Sequence, residues 1–237
     1  MNTKHVSKPA RTSGSLRALR ASMQEVIKGL GSRTSALLAA AREDLSACLE
    51  TETRDFPAVQ RCAREALADG RPAILGMGFI GAAPSSGHRA VHWWYRPVGG
   101  RPSEQLEATS NPQLMGFYDV ETTPWWQGAV TSSGLFVSGP YVDVSGTNAY
   151  ILTGSRAVKL HKRFHGVVSL DIEVGALQDL WQRDLIRAEN PTSVVDVEGS
   201  VIATNSGEIL GGVIDPTDPS VLSRTSVPKT PWMLVQH

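Results

Sequence analysis

Four aromatic rings and two carboxylates are the side chains of this sequence best suited to binding chemistry. They occur in three segments of a mainly β-patterned stretch, at residues 118–126, 139–143 and 166–172. A cation gains from the quadrupole of aromatic rings and from Coulomb attraction to carboxylates once water is excluded. The pattern therefore predicts a pocket for a small cationic or amphipathic ligand. The candidate ligand-binding residues are Tyr118, Thr123, Trp125, Trp126, Tyr141, Asp143 and Asp171.

Several of these residues also have a structural interpretation, which the sequence leaves open. Trp125 and Trp126 are large rings that suit a core beneath the connection before them. Asp143 precedes a Ser-Gly pair and suits a turn. Asp171 follows the mostly apolar residues 167–170, where a charge is costly unless it is paired or hydrogen-bonded. Backbone amides that enter the following helix would satisfy this carboxylate as well as a ligand would.

Catalytic motifs find little support in the sequence. His161 and His165 have i, i+4 spacing, but they flank a Lys/Arg-rich turn and no Glu neighbour completes a hydrolase motif. The glycine pairs lack the strand–turn–helix context of a phosphate-binding loop. No Gly-x-Ser-x-Gly elbow occurs. We therefore expect no enzyme, no catalytic residue, no cofactor and no metal site.

The first 70 residues predict helices that would support these segments. Apolar residues recur at the three-four spacing of one helical face, at Leu16, Leu19, Met23, Val26 and Leu30. Gly29 and Gly31 are expected to interrupt this helix, and Ser32 or Thr34 to cap a second one. A third helix is predicted after Pro57.

From residue 71 onward the pattern changes to β-strands. Strands are predicted at 73–81, 90–96, 137–144, 148–158, 164–172, 193–197, 200–204 and 230–235, and a helix at 174–187. Those between 137 and 172 predict an antiparallel meander, so the fold class is α+β. The predicted organisation is a basic tail (1–14), a helical segment (15–70), a ligand-binding domain (71–190) and a small β appendage or truncated second module (191–237).

Residues 55–187 resemble a Cache domain, the extracellular PAS-like class of sensor. The resemblance rests on three motifs in a fixed order: F-Y-D-x-x-x-x-P-W-W at 117–126, G-P-Y-V-D at 139–143 and G-V-V-x-x-D-I at 166–172. It implies a PAS-like antiparallel sheet with long N-terminal helices, and a small-molecule sensor without catalytic activity. Because family members are mostly receptor ectodomains, a chain without a membrane span or output domain implies a freestanding version.

The amino-acid-binding branch of this family implies roles for particular residues. Tyr118, Trp125 and Asp171 fall at matching positions, whereas Thr123 stands where that branch has an arginine. A guanidinium grips a ligand carboxylate with a bidentate fork, and a threonine offers a single neutral hydrogen bond. The resemblance therefore favours an amine, a quaternary ammonium compound or a neutral polar metabolite, with Asp143 and Asp171 neutralising any ammonium.

Composition limits the partners and the location. The net charge is zero, but residues 1–33 hold seven Lys or Arg against Glu25. These charges are scattered and lack interleaved aromatic residues, so we expect no nucleic-acid binding by the core. No stretch approaches the roughly 20 apolar residues of a membrane span, and no signal peptide is evident. The expectation is a soluble cytoplasmic protein that does not engage the membrane.

The sequence is compatible with two modes of action. A sensor without an output domain would signal through a homodimer, paired by the N-terminal helices, or through a separately encoded regulator. Alternatively, the helical seam at residues 16–30 serves an interaction or scaffold protein that binds no ligand. Thermal shift with small metabolites separates these modes, since a ligand held only by the native state stabilises it.

Overall fold

The structure is a computed structural model of the whole chain. It describes residues 14–51, 55–69, 74–83, 89–97, 103–106, 119–144, 147–207, 212–215, 217–228 and 230–237. The helices are α1 (Gly14–Thr51), α2 (Pro57–Asp69), α3 (Pro124–Thr131) and α4 (Val174–Ile186), with a 3-10 turn at Val120–Thr122. The strands are β1 (Ile74–Gly81), β2 (Val91–Tyr95), β3 (Glu104–Gln105), β4 (Phe136–Val142), β5 (Tyr150–Leu160), β6 (Arg163–Glu173), β7 (Thr192–Val195), β8 (Val201–Thr204), β9 (Ser223–Ser226) and β10 (Met233–Gln236). Among the described helices, none combines the length and the apolar character needed to cross a membrane.

The main sheet has six strands in the order β3-β2-β1-β6-β5-β4, and all neighbouring strands are antiparallel. Strands β4, β5 and β6 form the predicted meander, and β1 pairs with the free edge of β6. This arrangement confirms the α+β fold class with an antiparallel sheet.

Helices α2 and α3 cover opposite faces of this sheet. Phe79 on β1 stacks on Phe56, which immediately precedes α2, with 5.0 Å between ring centroids. On β5, Ser155 donates a hydrogen bond of 2.8 Å to the backbone carbonyl of Trp125 in α3. The strand registers align Phe79 with Val168 and Ser155 with Ser169, and adjacent residues of a strand point to opposite faces. The face that α3 covers is called the site face below.

The chain divides into two compact units. One comprises Val26–Gln178 and contains the six-stranded sheet. The other comprises residues 1–25 and 179–237 and contains a four-stranded sheet of order β8-β7-β10-β9. In this second unit Trp181 of α4 and Trp232 form a T-shaped ring pair with centroids 5.2 Å apart. The last 46 residues thus build a sheet of their own, while the domain boundaries at 70 and 190 stay predictions.

The prediction of a break near Gly29 and Gly31 is wrong, because α1 is one helix of 38 residues. Thr34 does not cap a helix: its hydroxyl donates to the carbonyl of Leu30 one turn earlier, at 2.9 Å. A glycine in a helix interior costs about 1 kcal/mol, whereas full burial of a leucine contributes about 1.5–3 kcal/mol. Leu30 and Leu37 are both buried. Burial therefore outweighs the local preference of the two glycines.

Helix α3, the 3-10 turn and strands β3 and β9 have no counterpart among the predicted elements. Helix α3 begins at Pro124, where Thr123 caps it with proline at the first helical position. Strand β9 has two serines, an arginine and a threonine, and its alternate residues are exposed. It gains its strand conformation from pairing with β10, a non-local interaction that its composition does not reveal.

Candidate ligand-binding site

A buried carboxyl group, that of Asp171, lies on the site face. Strand β5 pairs with β6 so that Thr153 stands directly opposite Asp171. The Thr153 hydroxyl donates to Oδ1 of Asp171 at 2.7 Å, and the hydroxyl of Tyr141 lies 2.5 Å from Thr153 Oγ1. Because threonine has one hydroxyl proton, Tyr141 donates to Thr153 whenever Thr153 donates to the carboxylate. The three side chains form a hydrogen-bonded relay across β4, β5 and β6.

A bulge in β4 brings Tyr141 to this face. Ser138 pairs with Thr153 and Tyr141 with Ile151, so β4 carries one more residue than β5 between these pairs. Without that extra residue, Tyr141 would point to the opposite face, since a shift of one residue reverses every side chain. Gly139 supplies the bulge with φ of 106°, a conformation that favours glycine. A Cβ at this position would also lie 2.8 Å from the carbonyl oxygen of Ile151.

Burial controls the charge of Asp171. The residue is 6% exposed. Its pKa is raised from the ordinary value of 3.8 to about 8, mainly by desolvation and to a smaller extent by the charge of Asp143, while the hydrogen bond from Thr153 acts in the opposite direction. Asp171 is therefore mostly protonated near neutral pH. A cation placed beside it would favour the ionised form.

Asp143 lies in the turn that follows β4. Its Oδ2 accepts hydrogen bonds from the backbone amide of Thr147 at 2.8 Å and from the Thr147 hydroxyl at 3.2 Å. The structural interpretation of Asp143 as a turn residue thus holds in the structure. Its negative charge also acts on Asp171 through the pKa of that carboxyl. A direct ligand contact by Asp143 stays a prediction.

The tryptophan pair is part of a buried cluster. Trp125 and Trp126 are each 5% exposed and pack in a T-shaped arrangement with 5.9 Å between centroids. Both belong to a cluster whose partly buried members include Tyr141 and Phe164. The guanidinium of Arg89 lies over the Trp126 ring, 4.9 Å from its centroid. The chain itself therefore supplies a cation to Trp126.

Ion pairing and hydrogen bonding hold Arg89 in that position. Its guanidinium pairs with Glu121 at 2.6 Å and donates to the carbonyl of Gly81 at 2.9 Å. The Arg89 side chain is only 11% exposed. The cation–π contact over Trp126 is accordingly part of the folded structure.

Thr123 and Tyr118 complete the predicted set. Thr123 Oγ1 accepts from the backbone amide of Trp126 at 3.4 Å and donates to the carbonyl of Val120 at 2.6 Å, so this hydroxyl organises the start of α3. Tyr118 lies outside the described residues. The structure therefore brings Tyr141 and Asp171 together, with Trp125 and Trp126 in the adjoining cluster.

Sequence reasoning missed the polar residues that surround Asp171 on the site face. On β6, Ser169 and Asp171 are separated by one apolar residue, and on β5 Thr153 and Ser155 repeat this spacing. Polar residues two apart in buried strands share a face, and this alternation was the available signal.

On β1 the residues opposite Asp171 and Ser169 are Gly76 and Gly78. A Cβ on Gly76 would lie 2.6 Å from the indole nitrogen of Trp93, so this ring requires glycine beneath it.

Comparisons with known proteins agree with this architecture. Residues 93–179 match the family described as methyl-accepting chemotaxis protein-like, first PDC sensor domain. This range contains Tyr141, Thr153, Ser169 and Asp171. No curated protein sequence matches the chain.

Two solved structures illustrate the shared fold. The ligand-binding domain of the Campylobacter jejuni chemoreceptor Tlp3, in complex with L-valine, superposes with a TM-score of 0.63 at 16% identity, covering 94% of this chain and 88% of that one. The ligand-binding domain of the Pseudomonas fluorescens chemoreceptor CtaA, in complex with L-alanine, gives 0.56 at 16% identity and covers 92% of each chain. At such identities the likeness establishes the fold. The predicted α+β fold with a PAS-like antiparallel sheet of the Cache type is thereby confirmed.

Proposed function

We propose that this protein is a small-molecule sensor that binds a metabolite carrying an ammonium group, with Asp171 as its counter-ion, and that it catalyses no reaction. The observation that carries the proposal is a carboxyl group buried on the site face with a single hydroxyl, that of Thr153, as its hydrogen-bond donor among the described residues. A buried carboxylate that serves only structure is expected to receive more donors than this.

The raised pKa of Asp171 fits such a role. In the free protein the carboxyl holds its proton and avoids the cost of a buried charge. An arriving ammonium compensates the carboxylate, so binding displaces the proton and forms a charge-assisted hydrogen bond. A quaternary ammonium compound has no N–H to donate, and Arg89 already lies over Trp126. Primary and secondary amines are therefore favoured over quaternary compounds.

The fold relatives support the same ligand class. L-valine and L-alanine, the ligands held by the Campylobacter and Pseudomonas domains, both carry an ammonium group. The arginine that the amino-acid-binding branch would use to bind the ligand carboxylate has no counterpart at position 123. That position is a threonine, and its hydroxyl organises the start of α3. We infer that this protein recognises the ammonium and does not depend on a carboxylate.

Calorimetry with simple amines tests the proposal. We expect titration of the purified protein with propylamine and butylamine at pH 7 to release close to one proton per ligand bound, seen as a dependence of the heat on the ionisation enthalpy of the buffer. Asp171→Asn removes the titrating group, so both binding and proton release should be lost. Asp179→Asn, which changes an exposed aspartate of α4, is the control and should retain both. Binding that persists in Asp171→Asn, or that releases no proton, would contradict the proposal.

Signal output is proposed separately from ligand binding. The unbroken length of α1 suits a homodimer paired along this helix, in which a ligand acts by binding two arrangements of the pair unequally. A freestanding cytoplasmic protein that signals to a separately encoded regulator also stays a proposal. Light scattering with and without butylamine tests the dimer, and a monomer in both states would exclude it.

A further inference from the structure

The hydroxyl of Ser169 is buried and has no hydrogen-bond partner within the described part of the chain. Ser169 is 1% exposed. Buried hydroxyls are bonded in the large majority of cases, so an exception needs an explanation. Three indole nitrogens share this state, those of Trp94, Trp181 and Trp232. Trp94 is adjacent on β2 to Trp93 and points to the opposite face, and the other two belong to the second unit.

Ser169 and Asp171 are neighbours on the site face. They are two residues apart on β6, so their side chains point the same way and their Cα atoms are about 6.7 Å apart. Ser169 pairs with Gly78 on one side and Ser155 on the other, and Asp171 pairs in the same way with Gly76 and Thr153. The unpartnered hydroxyl thus belongs to the next side chain of β6 on the same face as Asp171, the proposed ammonium-binding residue.

The residues that pair with Ser169 across the sheet do not bond its hydroxyl. On the β1 side Gly78 has no side chain to offer. On the β5 side the Ser155 hydroxyl is committed to the carbonyl of Trp125 at 2.8 Å. The adjacent Thr153 hydroxyl is committed to Asp171 at 2.7 Å. Of these hydroxyls, Ser169 alone retains both its donor and its acceptor capacity.

We propose that Ser169 is a specificity-determining residue that hydrogen-bonds a second, uncharged polar group of the same ligand. This inference rests on the proposed amine-sensing function and narrows it to amines that carry a hydroxyl or a similar neutral group. A ligand carboxylate is disfavoured, because one neutral hydroxyl does not compensate a buried anion beside Asp171. Given the spacing of the two side chains, a three- or four-carbon chain between the nitrogen and the oxygen fits better than a two-carbon chain.

Pairs of probe amines that differ only at one end test this inference. Propanolamine and butylamine differ by the exchange of a terminal hydroxyl for a methyl group, as do butanolamine and pentylamine, and ethanolamine and propylamine. With the unaltered protein we expect propanolamine or butanolamine to bind roughly 5- to 10-fold more tightly than its methyl counterpart, the worth of one hydrogen bond. Ethanolamine should show a smaller preference. Isothermal titration calorimetry measures each dissociation constant.

Two serine variants separate ligand recognition from stability. Ser169→Ala should abolish or reverse the preference for the hydroxyl compounds while butylamine still binds. It should also leave the Tm of the ligand-free protein unchanged or slightly higher, because an unsatisfied hydroxyl is removed. Ser155→Ala is the matched control on the same face. It should lower Tm through loss of the bond to Trp125 and keep the preference.

The outcomes distinguish this inference from the function on which it rests. If butylamine does not bind in an Asp171-dependent manner, the proposed function fails and this inference falls with it. If butylamine binds with proton release but the hydroxyl compounds gain nothing, only the role of Ser169 is overturned. The same conclusion follows if Ser169→Ala keeps the preference, or if it lowers Tm as much as Ser155→Ala, which would show that the hydroxyl is already bonded in the free protein.

Discussion

Two buried aspartates in the larger unit, Asp44 and Asp171, occupy contrasting environments. Asp44 of α1 is 3% exposed and accepts hydrogen bonds from the backbone amides of Ala58 and Val59, at 3.1 and 2.8 Å. These amides belong to the first turn of α2, so the positive end of that helix dipole faces the carboxylate. Asp171 is 6% exposed and receives one side-chain hydroxyl.

The two carboxyl groups differ in the number of hydrogen-bond donors that they receive. Asp44 has a structural role, whereas Asp171 can accept further hydrogen bonds. Asp44 ties α1 to α2 by satisfying amides that no residue within α2 can satisfy. Asp171 closes no such backbone gap, and burial holds its pKa near 8 so that the carboxyl keeps a proton. Both aspartates are buried, so the small number of donors, and not burial, is what distinguishes Asp171 from Asp44.

The largest expected effect is the pH dependence of stability that arises from Asp171. Between its ordinary pKa of 3.8 and its folded value of about 8, the folded protein holds a proton that the unfolded chain releases. The contribution of Asp171 to the free energy of unfolding should therefore be fully present below about pH 4. It should be lost as the pH rises to about 8, which lowers the free energy of unfolding by on the order of 5 kcal/mol. Urea denaturation across this range measures the change.

Asp171→Asn serves as the control for that titration, since asparagine does not ionise. The difference in the free energy of unfolding between the unaltered protein and the variant should grow from pH 4 to pH 8, in favour of the variant. A constant difference would mean that Asp171 titrates normally, and the contrast with Asp44 would then disappear.

Identical substitutions at the two aspartates give the next largest effect. Asp44→Asn leaves one acceptor oxygen for two amides and removes the charge at the α2 terminus, so we expect a loss of about 2–4 kcal/mol in the free energy of unfolding. Asp171→Asn should be neutral or stabilising near pH 8. Chemical denaturation of both variants at that pH measures the difference. Equal losses would place the two carboxylates in the same structural role.

The sequence predicted the strands around the site better than the contacts within it. Alternation and turn residues located β1, β2, β4, β5 and β6, because these signals are local. The buried position of Asp171 also followed from its apolar neighbours. Its partner Thr153 did not, since 18 residues separate them and only the register of β5 against β6 brings them together. Local patterns define elements, and pairing between elements defines the site.

Two further features of the site depend on geometry that local patterns do not encode. Tyr141 faces Thr153 only because the bulge at Gly139 shifts β4 by one residue. Arg89 reaches the ring of Trp126 across 37 positions of sequence. Both residues were visible in the sequence, but a side chain's direction after a bulge and a long-range ion pair arise from the tertiary fold.

The smallest effect extends the comparison from carboxyl groups to hydroxyl groups. Ser193 of β7 is buried like Ser169, but its hydroxyl lies 2.8 Å from Thr204 Oγ1 and 3.2 Å from Nε2 of His237. Ser193→Ala should therefore lower the free energy of unfolding by about 1 kcal/mol, whereas Ser169→Ala should leave it unchanged or raise it slightly. Urea denaturation at one pH, without added amine, measures both. If the two substitutions lower the free energy of unfolding equally, the hydroxyl of Ser169 is as fully hydrogen-bonded as that of Ser193. The site face would then offer no free hydroxyl at Ser169. The opposite order, a loss at Ser193 and none at Ser169, would show that the hydroxyl of Ser169, unlike that of Ser193, is unbonded in the free protein.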